Sequence, residues 1–348
     1  MYSLHDRIFG SLVTAGMGDA IGAPGEALSR DEIFARFHGP ITEFVPPTGN
    51  FYCEGNRVGE VTDDTTQLYE MANAMIETKG ELTTTAAADA LLAWSRKYPR
   101  QYPRNAGPTM RNWVVDYEKG GDPVALGKVG FVYGRGISNG CAMRIAPAAL
   151  CVPGDLDAAV KNAVTMTKVS HGTQHAYSGA CAIACAISEA LTETSQVHSI
   201  VKAAIWGAKE GERIGLKEAR HAAGPRVLPR MMKAIECAYA ADNADDAAIR
   251  IADEVGCNGD IQPSVGVALG IFIANDGDPV NTILGATNIG GDTDTFACIA
   301  GMIAGAYRGF GALPAEWYAL LKAANPELDF EWQADELTKI AEHFLANK

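Results

Sequence analysis

The chain has 348 residues and a formal net charge of −13, which argues against nucleic-acid binding through a basic surface. Its 47% hydrophobic share is enough for a large core, yet no run of about 18 uninterrupted apolar residues marks a membrane span. The eight cysteines include no Cys-x-x-Cys pair, and the N-terminal stretch from Met1 to Ile8 lacks the apolar segment of a signal peptide, so a reducing cytoplasm is expected. Abundant alanine favours helices over strands. No linker, repeat or low-complexity tract divides the sequence, so one domain over residues 1–348 is expected.

Leu4, Ile8, Leu12 and Ala15 give the first predicted helix one apolar face. Gly16, Gly18 and Gly22 are expected to loosen its backbone before Pro24-Gly25 turns the chain away. Asp19 and Glu26 are the polar groups near that break, and on its own Glu26 reads as a solvated loop carboxylate. Residues 39–60 are rich in Gly and Pro and read as a long ordered loop leading to Thr62-Asp63-Asp64-Thr65. That polar run opens a helix with Leu68, Met71, Ala72, Met75 and Ile76 on one face; a second follows with Ala88, Leu91, Leu92 and Trp94. Prolines then forbid regular helix between Tyr98 and Thr109. The segment reads either as a substrate lip, with Tyr98 and Tyr102 stacking on a base, or as a surface loop whose tyrosines pack locally.

Ser138-Asn139-Gly140 opens a helix expected to run through Met143, Ala146 and Leu150. Its first N–H groups suit a phosphate as well as an ordinary cap. His171 and His175 lie four apart, but Gly172 stands where the zinc-peptidase pattern His-Glu-x-x-His has its glutamate, so no zinc site is expected. Ala176 to Leu191 reads as a buried helix with Cys181 and Cys185 as core thiols. Helices are predicted near 197–211, 230–241 and 244–255, with Lys217, Arg220, Arg226 and Arg230 as a solvated basic patch. Pro263 and Pro279 start two more, and the tail from Leu337 to Phe344 is amphipathic and is expected to pack on the outside.

The stretch Asn288-Ile-Gly-Gly-Asp-Thr-Asp-Thr295 precedes a helix with Phe296, Ile299, Ala300 and Ile303 at helical spacing and Gly301 and Gly305 as gaps for close packing. Asp292 and Asp294 are two apart and share no face of a regular helix; they converge only on a turn, which Gly290-Gly291 permits. This motif and Thr62-Asp63-Asp64-Thr65 both offer hard oxygen donors without Cys or His, a set suited to Mg²⁺, Mn²⁺ or Ca²⁺. Taken singly, each motif is explained as well by helix capping.

Together these stretches resemble the ADP-ribosylglycohydrolase family. Thr62-Asp63-Asp64-Thr65 and Gly290-Gly291-Asp292-Thr293-Asp294-Thr295 are similar to its two metal motifs. In the family's order stand also Gly18-Asp19 through Glu26, Ser138-Asn139-Gly140-Cys141-Ala142-Met143-Arg144, and Ser170-His171. The resemblance implies an all-α fold, a single-domain orthogonal helical bundle with a dinuclear metal site at its centre. It implies two divalent cations, Mg²⁺ or Mn²⁺, on Thr62, Asp63, Asp64, Asp292, Asp294 and Thr295. Glu26 takes the place of the glutamate facing the scissile bond, and Glu26, Asp63 and Asp64 become the catalytic candidates. Asn139, Gly140, Cys141 and His171 become ligand contacts, with Tyr102 added from the proline-rich lip. The implied reaction is hydrolysis of an N- or O-glycosidic bond at ribose C1, releasing ADP-ribose, by a monomer acting on an ADP-ribosylated protein or a small ADP-ribosyl or ribosyl compound. A hydrolase of a small nucleoside-like riboside, a phosphate-ester hydrolase and a catalytically silent ADP-ribose binder are the alternatives. Some members carry an acidic residue just before the glycine of the lip; here Asn105 and Ala106 stand there.

Overall fold

The computed structural model describes residues 3–130 and 135–348. Met1 and Tyr2, where the N-terminal reading begins, lie outside that set. The first half holds α1 (Leu4–Gly22), α2 (Arg30–Arg36), α3 (Asp63–Glu77), α4 (Thr84–Lys97), α5 (Pro108–Glu118), α6 (Pro123–Gly127), α7 (Gly140–Met143), α8 (Ala146–Leu150) and α9 (Leu156–Thr167). The second half holds α10 (Gln174–Ala190), α11 (Val197–Glu218), α12 (Val227–Ala240), α13 (Ala244–Glu254), α14 (Ile261–Ala274), α15 (Pro279–Thr287), α16 (Thr293–Arg308), α17 (Ala315–Ala324) and α18 (Phe330–Ala346). The fold is all-α, as the alanine-rich composition and helical spacing predict. One short ladder departs from the reading: β1 (Leu28–Ser29) pairs antiparallel with β2 (Gly290–Gly291) and ties the segment after α1 to the turn before α16.

The centre of the fold is the pair α1 and α16. A methyl group on Gly18 would lie 2.2 Å from the Ala297 carbonyl oxygen, and one on Gly22 would lie 2.5 Å from that of Thr293. Reciprocally, Gly301 faces the Thr14 carbonyl and Gly305 faces that of Gly10. The contacts recur every four residues in opposite chain directions, so the two helices run antiparallel through a seam of small residues. The seam lets backbones touch where ordinary side chains would hold them apart. Thr14 Oγ1 and Ser11 Oγ donate across it to the carbonyls of Gly301 and Met302 at 2.7 and 2.8 Å. Gly10, Gly18 and Gly22 therefore bring backbones together, and Gly16 leaves room for the Leu321 and Phe330 side chains, rather than loosening the helix, which continues unbroken to Gly22. Nor does α1 have one apolar face: it is buried on every side from Arg7 onward.

Two further boundaries differ from expectation. The helix predicted from Ser138 to Leu150 is two short helices with Arg144-Ile145 between them. Pro147 is the cause, because its ring would clash with the carbonyl of Met143 in a continuous helix. The freed Met143 carbonyl accepts instead from Cys298 Sγ at 3.6 Å. The tail helix α18 does not simply lie outside: Phe330, Ala334, Leu337 and Ala341 are buried, and Gln333 donates to the Tyr69 carbonyl on α3 at 2.9 Å.

Candidate metal centre and substrate cavity

Four segments converge at the α16 end of the seam. Thr62 is the N-cap of α3, and its hydroxyl accepts from the Asp64 N–H at 3.4 Å. Capping and site-building are thus one arrangement rather than two alternatives. Asp19, one turn before the end of α1, completes it by accepting from the N–H groups of Thr62 at 2.9 Å and Thr65 at 3.0 Å and from the Thr65 hydroxyl at 2.5 Å. The carboxylate satisfies the orphan donors of the α3 N-terminus and opposes its positive dipole end. This clamp leaves Asp63 and Asp64 turned into the molecule.

On the opposite side, Gly290 and Gly291 adopt φ of 92° and 83°, conformations that favour glycine. A methyl on Gly291 would also collide with the Cys257 carbonyl oxygen, 1.8 Å away. Asp292 follows as the non-helical residue before α16, and Asp294 lies in its first turn, so the turn permits the convergence that the sequence spacing requires. Carboxylate oxygens of Glu26, Asp292 and Asp294 come within 4.8 Å of one another. Thr295 Oγ1 donates to Asp64 Oδ1 at 3.4 Å and joins the two motifs. Glu26 is no solvated loop residue: its Oε2 is buried without a partner, as is Asp64 Oδ2.

Burial raises the carboxyls of Asp19 and Asp63, to about 6 and about 7. Burial together with the neighbouring carboxylates drives Glu26, Asp64 and Asp294 well above their ordinary range, and burial raises Asp292. The buried cation at their back is Arg144. Its guanidinium donates to Gln67 Oε1 and to Ser170 Oγ, the latter at 2.6 Å, while Gln67 in turn donates to Asp63 Oδ2 at 2.7 Å. One guanidinium leaves this many buried carboxyls uncompensated. Hard oxygen donors, orphaned carboxylate atoms and missing positive charge fit a divalent cation.

A cavity of about 260 Å³ opens onto this cluster. Its wall includes Glu26, Asp63, Asp64, Asp292 and Thr295, then Ser138, Asn139, Gly140 and His171, and across from them Tyr52, Asn105 and the α5 start at Gly107 to Met110. Asn139 Nδ2 donates to Asp292 Oδ2 at 2.5 Å and to Ser264 Oγ at 3.0 Å, so it orients a member of the acidic cluster. His171 is fully buried and held neutral by burial and by Arg144. The Arg144 N–H group 3.5 Å from Nδ1 makes that nitrogen the acceptor and puts the proton on Nε2, 2.9 Å from Ser138 Oγ.

Two expected contacts lie elsewhere. Tyr102 does not line the cavity; its ring stands edge-on to Trp94, with centroids 5.5 Å apart. Cys141 is buried, with Sγ directed at the carbonyls of Ser138 and Ala176. Tyr98, the other tyrosine of the lip, donates its hydroxyl to Glu70 at 3.1 Å. Sequence reasoning missed Tyr52, the Asp19 clamp and Gln67. No local pattern announces these contacts, although Asp19 itself lies in the Gly18 to Glu26 stretch, since each residue acts on partners far from it in the chain or on its neighbour one helical turn away.

The fold and site define an all-α protein with a candidate metal centre beneath a ligand-sized cavity. The family model described as ADP-ribosylglycohydrolase matches residues 1–348, and the chain belongs to that family, a glycosidase by class. The chain is 30% identical to the uncharacterized protein YegU of Escherichia coli, over 96% of this chain and 97% of that one. It is 26% identical to the ADP-ribosyl-[dinitrogen reductase] glycohydrolase of Rhodospirillum rubrum, covering 97% and 98%, and 27% identical to the ADP-ribosylarginine hydrolase Tri1 of Pseudomonas putida, covering 95% and 80%. A solved structure titled ADP-ribosylglycohydrolase-related protein complex shares the fold at a TM-score of 0.63 and 23% identity, covering 97% of this chain and 99% of that one.

Proposed function

We propose that the protein is a metal-dependent hydrolase that cleaves a glycosidic bond at ribose C1 of an ADP-ribosylated protein or small compound and releases ADP-ribose. The observation that carries this reading is the buried carboxylate cluster, short of positive charge, at the floor of the cavity. Asp63, Asp64, Asp292 and Asp294, with Thr62 and Thr295, would hold two divalent cations, Mg²⁺ or Mn²⁺. Bound there, such ions supply an acidified water and a hold on ribose hydroxyls. Glu26, which lines the cavity and keeps one oxygen without a partner, accepts a proton from the attacking water. Asn139 keeps Asp292 in one orientation, and neutral His171 fixes Ser138 beside it. The cavity lies just below the usual range of ligand-pocket volumes, which suits the ribosyl end of a longer ligand whose remainder extends outward.

The test is calorimetric titration of ADP-ribose into metal-free and Mg²⁺-loaded protein, followed by chromatographic assay of ADP-ribose release from ADP-ribosylated arginine and serine peptides. Metal-dependent binding and release of ADP-ribose are expected. Loaded protein that neither binds ADP-ribose nor releases it from either peptide would overturn the reading.

A further inference from the structure

The hydrolase reading holds Ser138 in place but gives it no task, yet a buried line of hydrogen bonds ends on it. The line starts at the Arg144 guanidinium, which reaches Ser170 Oγ at 2.6 Å. Ser170 Oγ meets His171 Nδ1 at 2.9 Å, and His171 Nε2 meets Ser138 Oγ at 2.9 Å. Each link has a direction. Arginine only donates, so Ser170 accepts from it and keeps its own hydrogen for Nδ1. The reverse assignment would set an Nδ1–H against the Arg144 N–H group 3.5 Å away. It would also strand the Ser170 hydrogen without an acceptor in a residue only 2% exposed. The imidazole hydrogen therefore sits on Nε2 and points at Ser138 Oγ, so the Ser138 hydroxyl hydrogen must turn elsewhere. Nothing else among the described residues shares a hydrogen bond with that oxygen.

Arg144, Ser170 and His171 are buried, whereas Ser138, the last member of the line, is partly exposed and lines the cavity. Its backbone is pinned on both sides. The Asn139 N–H donates to the Gly259 carbonyl at 3.0 Å, and the Ile261 N–H donates to the Ile137 carbonyl at 2.8 Å. A hydroxyl hydrogen with no protein acceptor thus stands on a fixed wall of the cavity, polarised by a line that begins at a buried cation. Arg144 serves a second line as well. It donates to Gln67 Oε1, and Gln67 Nε2 donates to Asp63 Oδ2 at 2.7 Å. One guanidinium therefore orients a candidate metal ligand on one side and, three links away, Ser138 on the other.

We propose that Ser138 donates its hydroxyl hydrogen to an acceptor oxygen of the bound ADP-ribosyl group, on ribose or phosphate, and that Ser170 is a positioning residue that sets this donor through His171 without touching the ligand. The ligand rests on the hydrolase reading; the direction of the line does not. Nitrogen NMR of isotope-labelled wild type, with His171 assigned by its loss in His171→Gln, should show a bare Nδ1 and a protonated Nε2. A protonated Nδ1 overturns the proposal. Calorimetry of ADP-ribose into Mg²⁺-loaded protein should give a Kd about 10-fold weaker in Ser138→Ala and about 3-fold or more weaker in Ser170→Ala. The double variant should fall within about twofold of Ser138→Ala, because Ser170 acts only through the hydroxyl already removed. Unchanged affinity in Ser138→Ala overturns the proposal. So does a Ser170→Ala loss of equal size with and without the Ser138 hydroxyl, the mark of a general structural effect. Either failure leaves the hydrolase reading standing. The same titrations with ADP, which lacks the second ribose, name the oxygen: a loss shared by ADP belongs to phosphate, and one confined to ADP-ribose belongs to ribose. A wild type that binds no ADP-ribose takes both readings down.

Discussion

Asp63 ionises near 7 and Asp19 near 6 in the fold, against 3.8 when solvated. Between pH 3.8 and about 7 the metal-free native state therefore binds more protons than the unfolded chain, and these groups cost stability as pH rises through that window. His171, lowered by burial and Arg144, acts in the opposite sense as pH falls. The increment in Tm on adding Mg²⁺ cancels the histidine contribution, because the histidine is no ligand. That increment should be larger at pH 8 than at pH 5 in scanning calorimetry at fixed ionic strength; an increment independent of pH would count against a metal on these carboxylates. Asp63→Ala and Asp294→Ala should each lower turnover on the order of 10²-fold or more while the helical circular dichroism persists. Asn139→Ala removes the amide donor on Asp292 Oδ2 and should weaken metal affinity about 10- to 100-fold by titration. At this scale the sequence was most legible where chemistry is contiguous. Thr62 to Thr65 and Asp292 to Thr295 are local strings whose helix-start geometry follows from residue type. Asp19 was seen as a polar residue near a break and as part of the Gly18 to Glu26 stretch, but its clamp was not, because its partners are 43 and 46 positions away. Tyr102, read either as stacking on a base or as packing locally, packs on Trp94, and the sequence left both open because a proline-rich segment does not declare which way its rings turn.

The antiparallel pair α1 and α16 shows how an element positions chemistry. Periodicity predicted both helices, and the gaps at Gly301 and Gly305 were read correctly as close-packing positions. The partner was not legible, because spacing reports a small stripe and not what fills it. Two substitutions separate stability from site geometry. Gly18→Ala places a methyl 2.2 Å from the Ala297 carbonyl and should cost about 1–3 kcal/mol in chemical denaturation, the usual range for overpacking. Gly22→Ala meets the Thr293 carbonyl oxygen at 2.5 Å and the Asp294 Cα at 2.6 Å. It should cost a similar amount and in addition weaken Mg²⁺ binding, because the methyl pushes on the backbone that carries a carboxylate. Equal metal affinity in the two variants would show that the seam does not set the position of Asp294. Pro147 gives the complementary lesson. A helix inferred from spacing alone ran across it, although a proline four residues after Met143 is itself the sign of a break.

Across the whole molecule, helical class was readable from composition and period, while the gathering of distant segments was not. Asp19, Glu26, Asp63, Asp64, Asp292 and Asp294 meet although more than two hundred residues of chain separate the first motif from the last, as the Thr295–Asp64 contact with its separation of 231 makes plain. Contacts of this span form late, after much chain entropy has been spent. The consequence reaches into biosynthesis. A growing chain presents Asp19, Glu26, Asp63 and Asp64 long before the ribosome has added Gly290 to Thr295, and α1 must wait for α16 to cover its glycines. During that interval the early half carries an uncovered apolar helix and an incomplete acidic cluster, and release of the last sixty residues closes both at once. On the proposed metal centre, a chain stalled before Asp292 lacks one of the two acidic motifs and is expected to show no turnover.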